Sequence, residues 1–266
     1  MSDRTLKFPQ GEADKLEPYL RPTAAASAPV SGTPFVTLTF ATSLDSALSL
    51  APGTRTALSG PQSKAMTHYL RSRHDAICVG VGTAIADDPG LNCRLEGLDI
   101  SRQPRPVVID PRLRWSFTRE SKVLQLVRAG EGLAPFIFTS DRSPPKAQQA
   151  LLEEHGGKYI FLDHGAAGHQ RFQWSDILRD VAAEGLQSIM IEGGGQIINS
   201  LLEAGSSHLV NSVILTIAPT WLGQGGVVVS PPRQLDSHGT PVPAARLADT
   251  AWLPLGEDVV LCGRLA

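Results

Sequence analysis

From Pro34 onward, short β-rich runs alternate with segments of helical periodicity, and this alternation restricts the chain to a largely parallel sheet covered by helices. Parallel neighbours need a long crossover, and the helical segments supply it. Phe35–Phe40 reads as the first strand. Pro61 then takes a first-turn position after Ser59 and Gly60, and Met66, Tyr69 and Leu70 share one face of a helix over residues 61–73. Further strands are expected at Ala76–Val81, Pro106–Ile109, Pro135–Thr139, Tyr159–Leu162, Ser188–Ile191 and Val210–Ile217, with helices at 144–155, 174–184 and 195–204. Pro219, Gly223, Gly225, Gly226, Pro231 and Pro232 mark a long irregular excursion. Arg246–Leu253 and Asp258–Leu265 read as a closing antiparallel hairpin. Residues 1–33 mix charges with Pro18, Pro22 and Pro29 without a sustained pattern, so they read as a mobile or draped arm, and residues 34–266 as one domain.

At 266 residues and 42% apolar content the chain can bury a sizeable core. The 24 Lys and Arg against 26 Asp and Glu create no general field for nucleic acid or an anionic membrane, so any phosphate must be held locally. Cys78, Cys93 and Cys262 form no C-x-x-C pair, which fits a reducing, cytoplasmic setting, and Cys78 lies in an apolar run as a small core residue. No apolar run approaches ~18 residues and no signal peptide is visible. The seven histidines are scattered singly, so no metal site is expected. Signatures of serine hydrolases, P-loop proteins, zinc metalloproteases and zinc deaminases are missing.

Three segments can carry chemistry. In Ile189–Ile198 an apolar strand ending in Glu192 runs through Gly193, Gly194 and Gly195 into an amphipathic helix. Glycines let a backbone approach phosphates, and the first N–H groups of a helix lack internal acceptors. Glu192 lies where open α/β sheets place ligands, or else caps the turn. In Val79–Arg94 a second strand opens into Gly80, Gly82 and Thr83, with Asp87 and Asp88 able to fix sugar hydroxyls and Arg94 able to clamp a phosphate. The D-D-P-G run reads equally well as ordinary turn chemistry. The third segment, Ala41–Ser46, precedes the helix bearing Arg71 and Arg73, which complement either a phosphate or the helix dipole.

In this order the segments resemble the reductase family of riboflavin biosynthesis, whose members share P-F/Y-V, S-L-D, V-G-x-G-T, D-x-P-x-L-x-x-R and E-G-G. Here these are Pro34-Phe35-Val36, Ser43-Leu44-Asp45, Val79 to Thr83, Asp87 to Arg94 and Glu192-Gly193-Gly194, with Leu70-Arg71, Asp75-Ala76, Pro106 to Asp110, Ala218-Pro219 and Leu222-Gly223 also matching. Two positions depart: Ser46 stands for the common glycine of S-L-D-G, and Thr39 or its neighbour for a first-strand lysine. The resemblance implies a dihydrofolate-reductase-like α/β fold, NADPH as hydride donor and a homodimer. Thr83, Asp87, Gly193, Gly194, Gly195, Gln196 and Ile197 would contact the cofactor, with Ala41 or Thr42 near the nicotinamide and Ser59 on the cofactor side. Arg71, Leu91, Arg94 and Glu192 would face the substrate, Glu192 being the catalytic candidate. Without a deaminase domain the chain resembles the stand-alone fungal and archaeal forms. The implied substrate is a phosphorylated ribosylaminopyrimidine, 2,5-diamino-6-ribosylamino-4(3H)-pyrimidinone 5′-phosphate. A dihydrofolate or pteridine reductase, or a non-catalytic nucleotide-binding protein of the same fold, are the competing readings.

Overall fold

The computed structural model describes residues 5–22, 32–163 and 172–266. Its centre is a nine-stranded sheet in which seven strands pair in parallel and a C-terminal hairpin adds two antiparallel pairings at one edge. In chain order the elements are α1 (Gln10–Leu16), β1 (Phe35–Thr42), β2 (Ala47–Ser49), α2 (Pro61–Ser72), β3 (Ala76–Gly80), α3 (Val81–Asp87), β4 (Arg105–Ile109), α4 (Lys122–Arg128), β5 (Phe136–Thr139), α5 (Lys146–Glu154) and β6 (Lys158–Phe161). They continue with α6 (Trp174–Ala183), β7 (Ser188–Gly193), α7 (Gly195–Leu201), α8 (Ala204–Ser207), β8 (Ser212–Ile217), β9 (Val227–Val228), β10 (Gln234–Leu235), β11 (Pro241–Val242), β12 (Leu247–Leu255) and β13 (Asp258–Leu265). The sheet order is β12-β13-β8-β1-β7-β3-β4-β5-β6. The expected mostly parallel α/β sheet with a C-terminal antiparallel hairpin is what the chain forms.

Alternation along the strands divides the core between two faces. Ile189 and Ile191 of β7 join Val36, Leu38 and Cys78 beneath Leu178 of α6 and Ile198 of α7. On the opposite face Met190 meets Met66 and Leu70 of α2, while Ile77, Val79, Val108 and Ile137 lie under Leu124 of α4 and Leu152 of α5. The hairpin holds α2 from outside its own sequence: Asp258 is 3% exposed and accepts from Gly60 N–H at 2.9 Å and Ser63 Oγ at 2.6 Å. That carboxylate supplies the N-terminal cap for which α2 has no local side chain.

The expected arm over 1–33 is in part a docked segment. Residues 10–16 form α1, Leu16 and Leu20 are buried against the α2 face, and Glu17 pairs with Arg73 and Tyr69. Seven residues are too few for periodicity to register, and tertiary packing holds the helix. The stretch expected as an open loop from Thr83 begins as helix α3, whose Val81 and Ala84 are buried. Gly82 and the β-branched Val81, Thr83 and Ile85 lower its helical propensity. Helix α4 had no counterpart in the sequence reading, and its first N–H, at Lys122, is capped by both oxygens of Asp88 at 3.1 Å.

Candidate active site

Strands β3, β4 and β7 end side by side, and their C-terminal turns open into a cleft of about 1250 Å³. One wall is the β3–α3 turn with Gly80, Gly82, Thr83 and Asp87, and another is the β7–α7 turn with Gly194, Gly195, Gln196 and Ile197. Gly194 N–H donates to Thr83 Oγ1 at 3.4 Å, so the two glycine-bearing turns meet across the cleft. The two turns therefore converge at one rim of the sheet. The remaining lining comes from Leu48, Arg55, Arg112, Arg114, Trp174 and Val227 among others.

The glycines are required by space. Gly193 has φ +104°, a conformation that side chains rarely adopt. A Cβ on Gly195 would lie 2.4 Å from Val227 Cγ1, and one on Gly80 would lie 2.9 Å from Ile197 Cδ1. Gly82 instead faces open space, with nothing within 4 Å of a notional Cβ. The first N–H groups of α3 and α7 have no acceptor within their helices. Each helix is only seven residues long, so bare backbone donors and close access, rather than a long aligned dipole, make the cleft suited to a pyrophosphate. Asp87 lines the same wall, its carboxyl pushed above the usual range by burial and partly restored by the Arg55 charge.

Glu192 belongs to the other face. Residues 191 and 193 point toward α6 and α7, so the intervening carboxylate turns toward α2. There Arg71 grips it with Nε on Oε1 at 3.0 Å and Nη2 on Oε2 at 2.8 Å, while Arg71 Nη1 donates to Asn92 O at 2.9 Å. The two side chains are 15% and 18% exposed. Arg71 therefore holds Glu192 in one orientation. Arg94 is likewise engaged: its backbone N–H meets His68 Nδ1 at 3.0 Å and its Nη2 lies 3.0 Å from His68 Nε2. Burial first, then the Arg71, Arg94 and Lys64 charges, push His68 down to about 2, so it stays a neutral ring. Leu91, 2% exposed with φ +52°, belongs to the apolar cluster of Ile77, Val79 and Leu124.

Of the cofactor-side expectations, Thr83, Asp87, Gly194, Gly195, Gln196 and Ile197 line the cleft. Gly193 shapes the turn from below, and Ala41 and exposed Ser59 lie outside the lining. Arg71, Leu91, Arg94 and Glu192 also lie outside it, grouped on the α2 side of the same strand ends. Arg142 pairs with Asp163 at 2.7 Å outside the cleft lining. Arg55, Arg112 and Arg114 were missed, and Arg112 and Arg114 were signalled only by the strand-ending I-D-P-R-L-R run. Asp45 fastens a turn: it accepts from Leu222 N–H at 3.1 Å and Gly223 N–H at 2.7 Å, and its bond from Ser43 first, then these amides, holds its carboxyl at about 2. Ser46, which replaces a glycine, has φ +60°. No group of metal-binding side chains exists among the described residues.

The family model of the RibD C-terminal domain matches residues 34–261. The chain belongs to this RibD C-terminal domain family. Among curated RibD-type relatives, the 2,5-diamino-6-ribosylamino-4(3H)-pyrimidinone 5′-phosphate reductase of Debaryomyces hansenii is 40% identical over 254 residues, 94% of this chain and 98% of that protein. The protein of the same name from Saccharomyces cerevisiae is 38% identical, covering 88% of this chain and 87% of its own. The solved structure of the S. cerevisiae riboflavin biosynthesis reductase Rib7 superposes with a TM-score of 0.76 at 35% identity, covering 96% and 99%. Acinetobacter baumannii RibD shares the fold at TM-score 0.68 and 22% identity, over 89% of this chain and 59% of that one. The RibD C-terminal domain thus accounts for nearly all of the sheet, including both turns of the cleft.

Proposed function

We propose that this chain is the riboflavin-pathway reductase that converts the ribosyl side chain of 2,5-diamino-6-ribosylamino-4(3H)-pyrimidinone 5′-phosphate to the ribityl form with NADPH. The supporting observation is the junction of the Thr83 and Gly194 turns, two residues beyond a carboxylate fixed by Arg71. In the reaction the furanose opens to an imine, C1′ gains a hydride, and the nitrogen gains a proton. NADPH, when bound, supplies the hydride.

The residues divide that work. The glycine turns admit the pyrophosphate and their N–H groups hold it, which fixes the cofactor along the strand ends. Glu192 has two of its roughly four lone-pair sites occupied by Arg71, leaving the others to accept from an amino or hydroxyl group of the substrate. Arg71 keeps that acceptor in one orientation. Thr39 lies one residue beyond the Leu38–Ile191 register pair, so the strand lysine common in the family has no equivalent beside Glu192. Arg94, anchored on His68, is assigned to the substrate phosphate side.

The test follows NADPH absorbance with the diamino substrate and with its deaminated counterpart, in the wild type and in Glu192→Gln. We expect turnover of the diamino compound and a loss of about 100-fold in Glu192→Gln, equivalent to ~2.7 kcal/mol. No substrate-dependent oxidation in the wild type overturns the reading. A cytoplasmic homodimer completes this proposal, and light scattering at micromolar concentration tests the dimer.

A further inference from the structure

We infer that Arg112 and Arg114, on the turn after β4, grip the 2′-phosphate of the adenosine half and make the cleft select NADPH over NADH. The inference rests on the dinucleotide reading of the cleft and assigns its specificity. Three observations carry it.

The first is direction. The pyrophosphate cradle lies over β3 and β7, and Glu192 and the end of β1 mark the side where chemistry takes place. The order β1-β7-β3-β4 then leaves the end of β4 for the adenosine ribose. Arg112 and Arg114 line the cleft there.

The second is rigidity of the turn. Asp110, 1% exposed, accepts from Arg114 N–H at 3.0 Å and Trp115 N–H at 2.8 Å, and its own N–H donates to Phe138 O at 2.9 Å. Trp115 and Phe117 bury their rings behind it, 5.1 Å apart. The backbone is fixed while both guanidinium groups are exposed.

The third is unmet charge. Neither guanidinium has a hydrogen-bond or ion-pair partner among the described residues, unlike Arg71, Arg73, Arg119 and Arg142. Two like charges held two residues apart without a counter-ion match a phosphate dianion, which a guanidinium can meet with paired N–H donors. NADH carries no such group. Arg55 lines the cleft too, but its charge acts on Asp87 of α3, so it serves as the comparison.

Binding of NADP+, NAD+ and 2′,5′-ADP by calorimetry tests this without turnover. In Arg112→Ala/Arg114→Ala the Kd for NADP+ and 2′,5′-ADP should rise about 30-fold or more, with NAD+ changed by less than ~3-fold. In Arg55→Ala the ratio of NADP+ to NAD+ affinity should stay within ~3-fold of wild type. Parallel weakening of NADP+ and NAD+ in the double variant, unchanged NADP+ binding, or a ratio shifted by Arg55→Ala overturns the assignment. A wild type that binds neither dinucleotide refutes the cofactor reading itself, and this assignment with it.

Discussion

Removing Arg71 should expose how far Glu192 depends on it. In Arg71→Met the carboxylate keeps its place at the end of β7, only 18% exposed, and loses two charge-assisted bonds of 2.8 and 3.0 Å. Breaking a fully buried ion pair costs about 3–5 kcal/mol, and the residual exposure lets water recover part of that, leaving ~2 kcal/mol. For a domain of this size that is a drop of roughly 5 °C in Tm. Glu192→Gln alone should cost less, because the amide oxygen can still accept from Arg71, which also keeps its bond to Asn92 O. The double variant removes both charges, so stability should return toward the Glu192→Gln value while turnover stays lost. A double-mutant cycle by urea denaturation should therefore give a coupling of at least ~1.5 kcal/mol, and NADPH oxidation measured on the same four proteins should show no corresponding rescue. Additive stabilities, within ~0.5 kcal/mol, would refute the claim that the guanidinium serves the carboxylate.

Two further outcomes are expected. Gly195→Ala places a methyl 2.4 Å from Val227 Cγ1, so β9 must shift over the cleft and dinucleotide affinity should fall at least ~10-fold; calorimetric affinity equal to wild type would show that the contact is unimportant. Acid should weaken the fold through His68, pushed down to about 2, and His74, pushed down to about 4 mainly by burial. Because the unfolded rings bind protons below about 6.5 and the folded ones do not, unfolding free energy decreases as pH falls through that value, by up to ~1.4 kcal/mol per unit for each ring, until the folded values are reached. Urea titrations at pH 7, 6 and 5 should show this slope, and His68→Gln should reduce it; an identical slope in that variant would rule the ring out.

Regular periodicity made β1, α2, β3, α6 and β7 legible before any coordinates, because each is long enough for its buried face to repeat. Helix α3 was not, since Gly82 and the β-branched Val81, Thr83 and Ile85 weaken the helical signal of only seven residues and its burial depends on the Trp115 and Phe117 cluster distant in sequence. Strands β2 and β9 have three and two residues, below any period. At the site, the glycine turns were recognisable by residue type. The pairing of Arg71 with Glu192 was not, as 121 residues separate them and the expectation of a phosphate for Arg71 was equally consistent with the chain. Asp45, Asp88 and Asp110 show the same limit. Each is an acidic residue beside a turn, and in each the carboxylate is taken up by backbone amides. Sequence alone does not say whether such a group faces inward to the chain or outward to a ligand.

The pleat of β7 has an evolutionary corollary. Neighbouring residues 192 and 193 serve opposite sides of the sheet, about 3.3 Å apart along the strand. Inserting or deleting one residue there would swap the sides, so the carboxylate and the glycine turn are tied to one register. The turn after β4 has no such bond to the chemistry. If Arg112 and Arg114 hold the 2′-phosphate as proposed, altered coenzyme preference is most accessible to natural variation, and to protein engineers, at that turn, where side chains can change without disturbing the pleat.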